Sequence, residues 1–151
     1  MLRTRLRDAL KISMKGKDAP TVSTLRLILA AIKDRDIAAR GKGNKDGVTD
    51  DEVLSLLQSM IKQRHESISL YEKGGRMELA QREAEEIAVI EEFLPEQMGA
   101  DEMVAAIEGV IAELEAKSLK DMGRVMAELK ENYAGKMDFS SASAGVKERL
   151  S

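Results

Sequence analysis

The stretch EEFLPEQM, residues 91–98, separates two runs of helical sequence and contains one of only two prolines in the chain. Pro95 has no amide donor, and its ring disfavours helical geometry at Leu94, so the preceding helix ends here. The stretch therefore predicts a joint between two helical subdomains. Their predicted bounds are residues 1–93 for the N-terminal subdomain, 94–100 for the linker and 101–151 for the C-terminal subdomain.

Upstream of this stretch, apolar residues recur every three or four positions, which is the spacing of one face of an α-helix. This pattern predicts four helices, the third over about residues 50–73 and the fourth over about residues 76–93. Small polar residues and glycines mark their ends. The markers are Gly16 after the first helix, Thr21 or Ser23 as cap of the second, Thr49 as cap of the third, and Gly74 and Gly75 after it.

Downstream of the stretch, the same spacing predicts three shorter helices. They begin near Asp101, after Ser118 as a cap, and near residue 140. No segment shows the sustained alternation of a strand. The predicted fold class is therefore all-α, with an N-terminal bundle of about four helices followed by a smaller three-helix subdomain.

The composition restricts both the compartment and the chemistry. No apolar run approaches the roughly 20 residues that span a bilayer, and the N-terminus lacks the apolar core of a secretory signal. We therefore expect a cytoplasmic protein with no membrane partner. The chain has no cysteine and a single histidine, His65, which excludes thiol nucleophiles, zinc fingers and iron–sulfur clusters.

The usual catalytic motifs are also missing from the sequence. There is no phosphate-binding loop, no dinucleotide-binding glycine motif and no HExxH. His65 lies between basic and acidic neighbours, and a solvent-facing histidine is favoured over a general base. Glu83 and Glu86 share a helix face, and a solvated acidic face is favoured over a metal site. We predict no catalytic residue, no metal ligand and no cofactor.

Positive charge is concentrated at the N-terminal end. Residues 1–48 carry 12 Lys and Arg against five Asp and Glu, although the chain as a whole has a net charge of −3. Regularly spaced cations form two rows, one on each of the first two predicted helices: Arg3, Arg7, Lys11 and Lys15, then Arg26, Lys33 and Arg40. The first row spans about 18 Å, enough to follow several phosphates. An anionic partner and a solvated face with internal ion pairs both remain open.

Gly123 is unusual because it lies inside the predicted sixth helix. A glycine there costs about 1 kcal/mol relative to alanine. A close approach of two helices or a ligand surface would explain it, and close packing is the favoured explanation.

Four motifs give the chain a family resemblance: KQRHES (62–67), GGRMELAQRE (74–83), EIAVIEEFLPEQ (86–97) and DMGRVM (121–126). They resemble the GatB/YqeY family, specifically its free-standing YqeY-like proteins, and the similarity runs nearly end to end. The resemblance implies two helical subdomains. It also implies similarity to the tail of the B subunit of the amidotransferase that converts misacylated Glu-tRNA or Asp-tRNA, a tail implicated in holding tRNA while catalysis belongs to a separate module.

The resemblance also implies a set of positions that could face tRNA or a partner. These are Lys62, Gln63, Arg64, Arg76, Lys120, Gly123, Arg124 and Lys136. Next to the last of them, Met137 stands where a small residue is more usual in the family, which puts close contact at that turn in doubt.

Three functions follow as hypotheses. The first is a tRNA-binding or amidotransferase-associated protein without catalysis of its own, whose partners are tRNA and amidotransferase subunits or a tRNA synthetase. The second is a helical adaptor that binds protein through its acidic fourth helix. The third is a glutamine-dependent carbon–nitrogen ligase, which the family label implies but for which the chain shows no catalytic constellation.

Overall fold

The computed structural model describes all 151 residues, and every regular element in it is helical. A short 3₁₀ helix, Leu119–Asp121, precedes the sixth α-helix. The α-helices are α1 (Leu2–Lys15), α2 (Ala19–Gly41), α3 (Asp50–Lys73), α4 (Met77–Glu91), α5 (Ala100–Leu114), α6 (Met122–Asn132) and α7 (Phe139–Leu150). The predicted fold class, a helical bundle followed by a smaller three-helix subdomain, is confirmed.

The chain divides into two compact units, Met1–Leu94 and Pro95–Ser151. Each unit has its own cluster of buried apolar side chains. That residues 94–100 act as a joint between independently stable parts stays a prediction.

The first unit consists of two helical pairs. α1 packs on α2, α3 packs on α4, and α2 also contacts α4. Apolar residues at helical spacing meet at the centre of the unit, since burying such a stripe is the main force that stabilises a helix in a protein. The fully buried members are Leu6, Leu25, Ile28, Val53, Leu57 and Ile90.

Residues of the EEFLPEQM stretch complete this first core. Phe93 is buried in it and Leu94 packs against it. The guanidinium of Arg5 lies 5.5 Å from the centroid of the Phe93 ring, a cation–π distance. Arg5 also donates a hydrogen bond of 3.2 Å to the carbonyl of Glu92. The end of the fourth helix is therefore attached to the first helix.

The remaining residues of the stretch belong to the second unit. The amide of Met98 donates to the carbonyl of Lys136 at 2.8 Å, and the side chain of Gln97 donates to the carbonyl of Gly135 at 2.6 Å. The Met98 side chain packs against the second core. Fully buried residues of that core are Val125, Leu129, Met137, Ala142 and Val146.

Two of the predicted helix caps are wrong and one is confirmed. Thr49 caps α3 by accepting from the amide of Glu52 at 3.2 Å. By contrast, α2 begins at Ala19, and its cap is Asp18, which accepts from the amide and the hydroxyl of Thr21. Pro20 is tolerated in the first turn because amides there have no partner within the helix.

The other error concerns the start of the sixth helix. Ser118 makes no capping hydrogen bond with its side chain. Instead, the carboxylate of Asp121 reaches back and accepts from the amide of Lys117 at 2.9 Å.

Candidate nucleic-acid interface

α1 and α2 form an antiparallel hairpin, because only three residues separate them. Arg3, near the start of α1, lies beside Asp36, near the end of α2. Its two terminal nitrogens donate to the two carboxylate oxygens at 2.6 and 2.7 Å. This two-point contact sets the register of the hairpin, since a planar guanidinium matches a carboxylate in only a few orientations.

The same pair holds the loop that follows α2. Arg3 donates to the carbonyl of Val48 at 2.8 Å, and the amide of Val48 donates to Asp36 at 2.9 Å. The hydrogen bonds from Arg3, then the one from Val48, lower the pKa of Asp36 to about 2. Arg3 is thus paired inside the chain. For this residue the alternative of an internal ion pair applies.

The other cations of the two rows are exposed, and their side chains make no hydrogen bond or ion pair within the chain. Each residue of an α-helix turns about 100°, so Arg7 and Lys11 lie about 40° and 80° round α1 from Arg3, moving away from the core. On α2, the three cations Arg40, Lys33 and Arg26 lie about 40°, 60° and 80° round the helix from Asp36, again toward solvent. Both rows therefore border the seam between α1 and α2.

We call this surface the outer basic face, and it consists of Arg7, Lys11, Arg26, Lys33 and Arg40. The exposed acidic residues of the two helices are Asp8, about 140° round α1 from Arg3, and Asp34, about 160° round α2 from Asp36. Asp8 lies three residues before Lys11 and is therefore its neighbour on α1. Lys15 is exposed at the end of α1, about 120° round from Arg3. Arg40 is one turn from Asp36 and helps to lower the pKa of that carboxyl. The outer basic face therefore carries an excess of positive charge that Asp8 and Asp36 offset only in part.

The loop after α2 adds two cations that sequence reasoning missed. Lys42 and Lys45 are exposed in residues 42–49, and so is Asp46. Side-chain and backbone groups of Asn44 bridge this loop, with its Nδ2 donating to the Gly47 carbonyl at 3.1 Å. The hydrogen bond from the Val48 amide to Asp36 attaches this loop near the end of α2.

Arg64, one of the positions implied by the family resemblance, is occupied within the first unit. Its side chain is 13% exposed and its Nε lies 2.9 Å from Glu86. It also donates to the carbonyl of Met60 at 3.1 Å. Glu86 is therefore the counter-ion of Arg64. No three His, Asp or Glu side chains in the structure converge as metal ligands would.

The neighbouring positions of the same set face solvent. Lys62, Gln63 and His65 are exposed along α3, and Arg76 is exposed just before α4. None of their side chains makes a hydrogen bond or ion pair within the chain.

In the second unit, the structure brings Lys120, Gly123 and Arg124 together at the start of α6. Arg124 donates to Asp121 at 2.8 Å. The bond from Lys117, and then this one from Arg124, lower the pKa of Asp121. A Cβ built on Gly123 would meet no atom within 4 Å. The prediction that close packing explains this glycine is therefore wrong, and its outer side is open.

Lys136 is exposed in the turn between α6 and α7, whereas the side chain of Met137 is fully buried in the second core. Met137 therefore points away from the surface that Lys136 presents. The unusual methionine does not obstruct contact at that turn.

The sequence model of the Yqey-like protein family matches residues 3–150, nearly the whole chain. The chain belongs to this family. Among its relatives is the protein of Lachancea thermotolerans described as Altered inheritance of mitochondria protein 41, mitochondrial, which is 32% identical over 127 residues. That match covers 84% of this chain and 59% of the relative, so the chain spans less than two thirds of that protein.

Two further family relatives come from other fungi. The protein of the same description from Pyrenophora tritici-repentis is 31% identical over 132 residues, which covers 83% of this chain and 70% of the relative. A Schizosaccharomyces pombe protein described as uncharacterized is 34% identical over 95 residues, 63% of this chain and 73% of the relative.

The Lachancea thermotolerans and Pyrenophora tritici-repentis relatives are described as mitochondrial. The cytoplasmic location expected for this chain stays a prediction. None of the helices combines the length and the apolar character that crossing a bilayer requires.

Proposed function

We propose that this YqeY-like protein binds tRNA through the outer basic face and has no catalytic activity of its own. The observation that carries the proposal is the position of five exposed, unpaired cations along one helical seam. Arg3 belongs to the same row as Arg7 and Lys11, but it pairs with Asp36 and stabilises the hairpin. The outer cations remain available to a partner. Exposed cations on a rigid support are suited to a polyanion, because their contacts with its phosphates release the condensed counterions.

The composition favours recognition of the RNA backbone and its shape. Aromatic residues make up 3% of the chain, so it has few surfaces on which unstacked bases could stack. The cations of the outer basic face on α2, from Arg26 to Arg40, extend over about 21 Å, which matches several successive phosphates. The family resemblance supports tRNA as the RNA, and amidotransferase subunits or a tRNA synthetase as the protein partners that would carry the chemistry.

The test is a titration of fluorescently labelled tRNA, followed by anisotropy, between about 50 and 200 mM salt. We expect the affinity of the wild-type chain to fall steeply over this range. The double variant Arg7→Glu/Lys33→Glu is expected to bind at least about tenfold more weakly, and its salt slope should be smaller by about two, one per lost phosphate contact.

A matched control distinguishes this face from net charge alone. Lys73→Glu/Arg82→Glu changes the charge equally but lies on the α3–α4 pair, and it should bind almost as the wild type does. Absence of tRNA binding at about 50 mM salt, or an equal loss in both double variants, would overturn the proposal. Amide formation from glutamine by the purified chain would overturn its non-catalytic part.

A further inference from the structure

An open groove lies at the end of the α1–α2 hairpin that is distant from the Arg3–Asp36 pair. It has a volume of about 630 Å³, within the range of ligand sites. Its apolar lining comes mainly from Met14, Val22 and Leu27, and its cations are Lys17 and Arg26. No aromatic or acidic residue lines it.

The apolar lining is incompletely covered. Met14 is 50% exposed and Leu27 is 47% exposed, on the two different helices that form the groove. Large apolar side chains that converge on one concave surface mark an interaction site, whereas single ones scattered over a surface do not. Methionine also adapts its shape to different partners.

The residues around the groove are positively charged, which favours an acidic partner. Lys17 and Arg26 lie in its wall, and Lys15 is exposed one residue beyond Met14. Asp18, the acidic residue at this end, already accepts two hydrogen bonds from Thr21. A complementary occupant therefore combines large apolar side chains with carboxylates.

The shape of the partner follows from the ways in which proteins bind peptides. The chain has no strand to which an extended peptide could add, and the groove lacks the aromatic walls that hold polyproline segments. A groove between two helices with apolar walls accommodates an amphipathic helix, which inserts side chains one turn apart. A nucleic-acid base is disfavoured because no aromatic ring is present to stack on it.

The helices of a second copy fit poorly. α4 and α5 are acidic, but each presents a single well-exposed large apolar side chain, Met77 and Val104 respectively. Neither helix therefore presents two exposed apolar side chains one turn apart.

We propose that the groove formed by Met14, Val22 and Leu27, with Lys17 and Arg26 at its wall, binds an acidic amphipathic helix of a partner protein. The occupant inserts two large apolar side chains about a turn apart between α1 and α2. Its glutamate or aspartate residues pair with the cations of the wall. Arg26 belongs both to the groove wall and to the outer basic face, so the two surfaces adjoin on α2.

The experiment uses the full chain with ¹³C-labelled methionine and leucine methyl groups. The probe is a synthetic helical peptide with leucines three, four and seven residues apart and glutamates on both flanks. We expect the peptide to shift the methyl signals of Met14 and Leu27 and to leave those of Leu70 and Met77, which are also exposed, unchanged. Leu27→Asp should weaken binding at least about tenfold, and the matched variant Leu70→Asp should not.

Reversing the charges of the groove and of the peptide tests whether the occupant has to be acidic. Lys17→Glu should weaken the glutamate-flanked peptide and strengthen a peptide with lysines in the same places. Four results would overturn the proposal: equal binding of both peptides to the wild type, equal loss in Leu70→Asp, displacement of the peptide by a single-stranded oligonucleotide that shifts Met14 and Leu27, or self-association that Leu27→Asp abolishes. None of these readouts depends on tRNA binding, so failure here is distinguishable from failure of the proposed function.

Discussion

Asp36 accepts hydrogen bonds from both terminal nitrogens of Arg3 and from the amide of Val48. These three donors connect α1, α2 and the following loop at one carboxylate. Asp36→Asn weakens all of them and leaves the Arg3 charge without its partner. We expect the free energy of unfolding at pH 7 to fall by about 1–3 kcal/mol, as urea titration would measure. Asp34→Asn is the control, because that neighbour is exposed and unpaired, and it should have no effect.

The same pair has a defined pH dependence. The folded-state pKa of Asp36 is about 2, below the ordinary value of 3.8. A carboxylate with a lowered pKa stabilises the folded state fully above its unfolded pKa and loses this contribution as the pH falls through the folded value. The stability difference between wild type and Asp36→Asn should therefore narrow between about pH 4 and pH 2. A difference that stays constant down to about pH 3 would contradict this assignment.

Gly47 also depends on Asp36. Its φ is +82°, and a Cβ there would lie 2.5 Å from the Asp36 carboxylate. Gly47→Ala therefore has to displace the carboxylate that Arg3 holds, in addition to adopting a left-handed backbone. Gly43→Ala is a matched control, since Gly43 has a φ of +93° with nothing within 4 Å. We expect about 1 kcal/mol of destabilisation at Gly43 and clearly more at Gly47 in thermal unfolding. Equal losses would show that the contact with Asp36 is unimportant.

Side-chain spacing predicted the basic rows but could not predict which cations pair within the chain. Arg3 and Asp36 are 33 residues apart, and Arg64 and Glu86 are 22 apart. Periodicity places residues on a face of their own helix, whereas pairing depends on the register between helices, which only packing determines. The sequence therefore indicated the candidate surface as a whole, with Arg3 and Arg64 wrongly weighted as equal to their exposed neighbours.

Among the helices, α2 provides a direct test of its cap. Asp18 accepts from the amide of Thr21, and losing such a cap costs about 0.5–2 kcal/mol. Asp18→Ala should lower the free energy of unfolding by this amount. Ser23→Ala, at an exposed position inside the helix that the sequence suggested as a cap, should change it little. The two variants can be compared by circular dichroism during urea titration, and a larger effect at Ser23 would refute the assigned start of the helix.

The error at this helix has a physical cause. The rule that a residue before proline avoids helical geometry suggested a later start, beyond Pro20. However, the first turn of a helix tolerates proline because its amides need no partner inside the helix. Thr49 was predicted correctly as a cap because no proline stood near it. Helix existence was thus predictable from periodicity, whereas not every helix end was, as the cap predicted at Ser118 also shows.

For the whole molecule, Pro95 marked the place where the chain divides. Leu94 packs with the first core and Met98 with the second, so the change of unit takes only a few residues. The groove at the end of the α1–α2 hairpin was not foreseen. Its lining combines Met14 of α1 with Val22 and Leu27 of α2, and the spacing within one helix does not show that residues of two helices meet.

If the two units are stable independently, damage to one core should leave the other protected. Leu129 is fully buried in the second core and Leu57 in the first. Truncation of a buried leucine to alanine costs about 2–5 kcal/mol, a large share of the stability of a unit as small as the second one. We expect Leu129→Ala to accelerate amide hydrogen exchange in residues 95–151 and to leave the slowest amides of residues 1–94 unchanged. Leu57→Ala should have the opposite distribution. If either variant accelerated exchange throughout the chain, the two cores would unfold as one, and the EEFLPEQM stretch would be an ordinary helix connection.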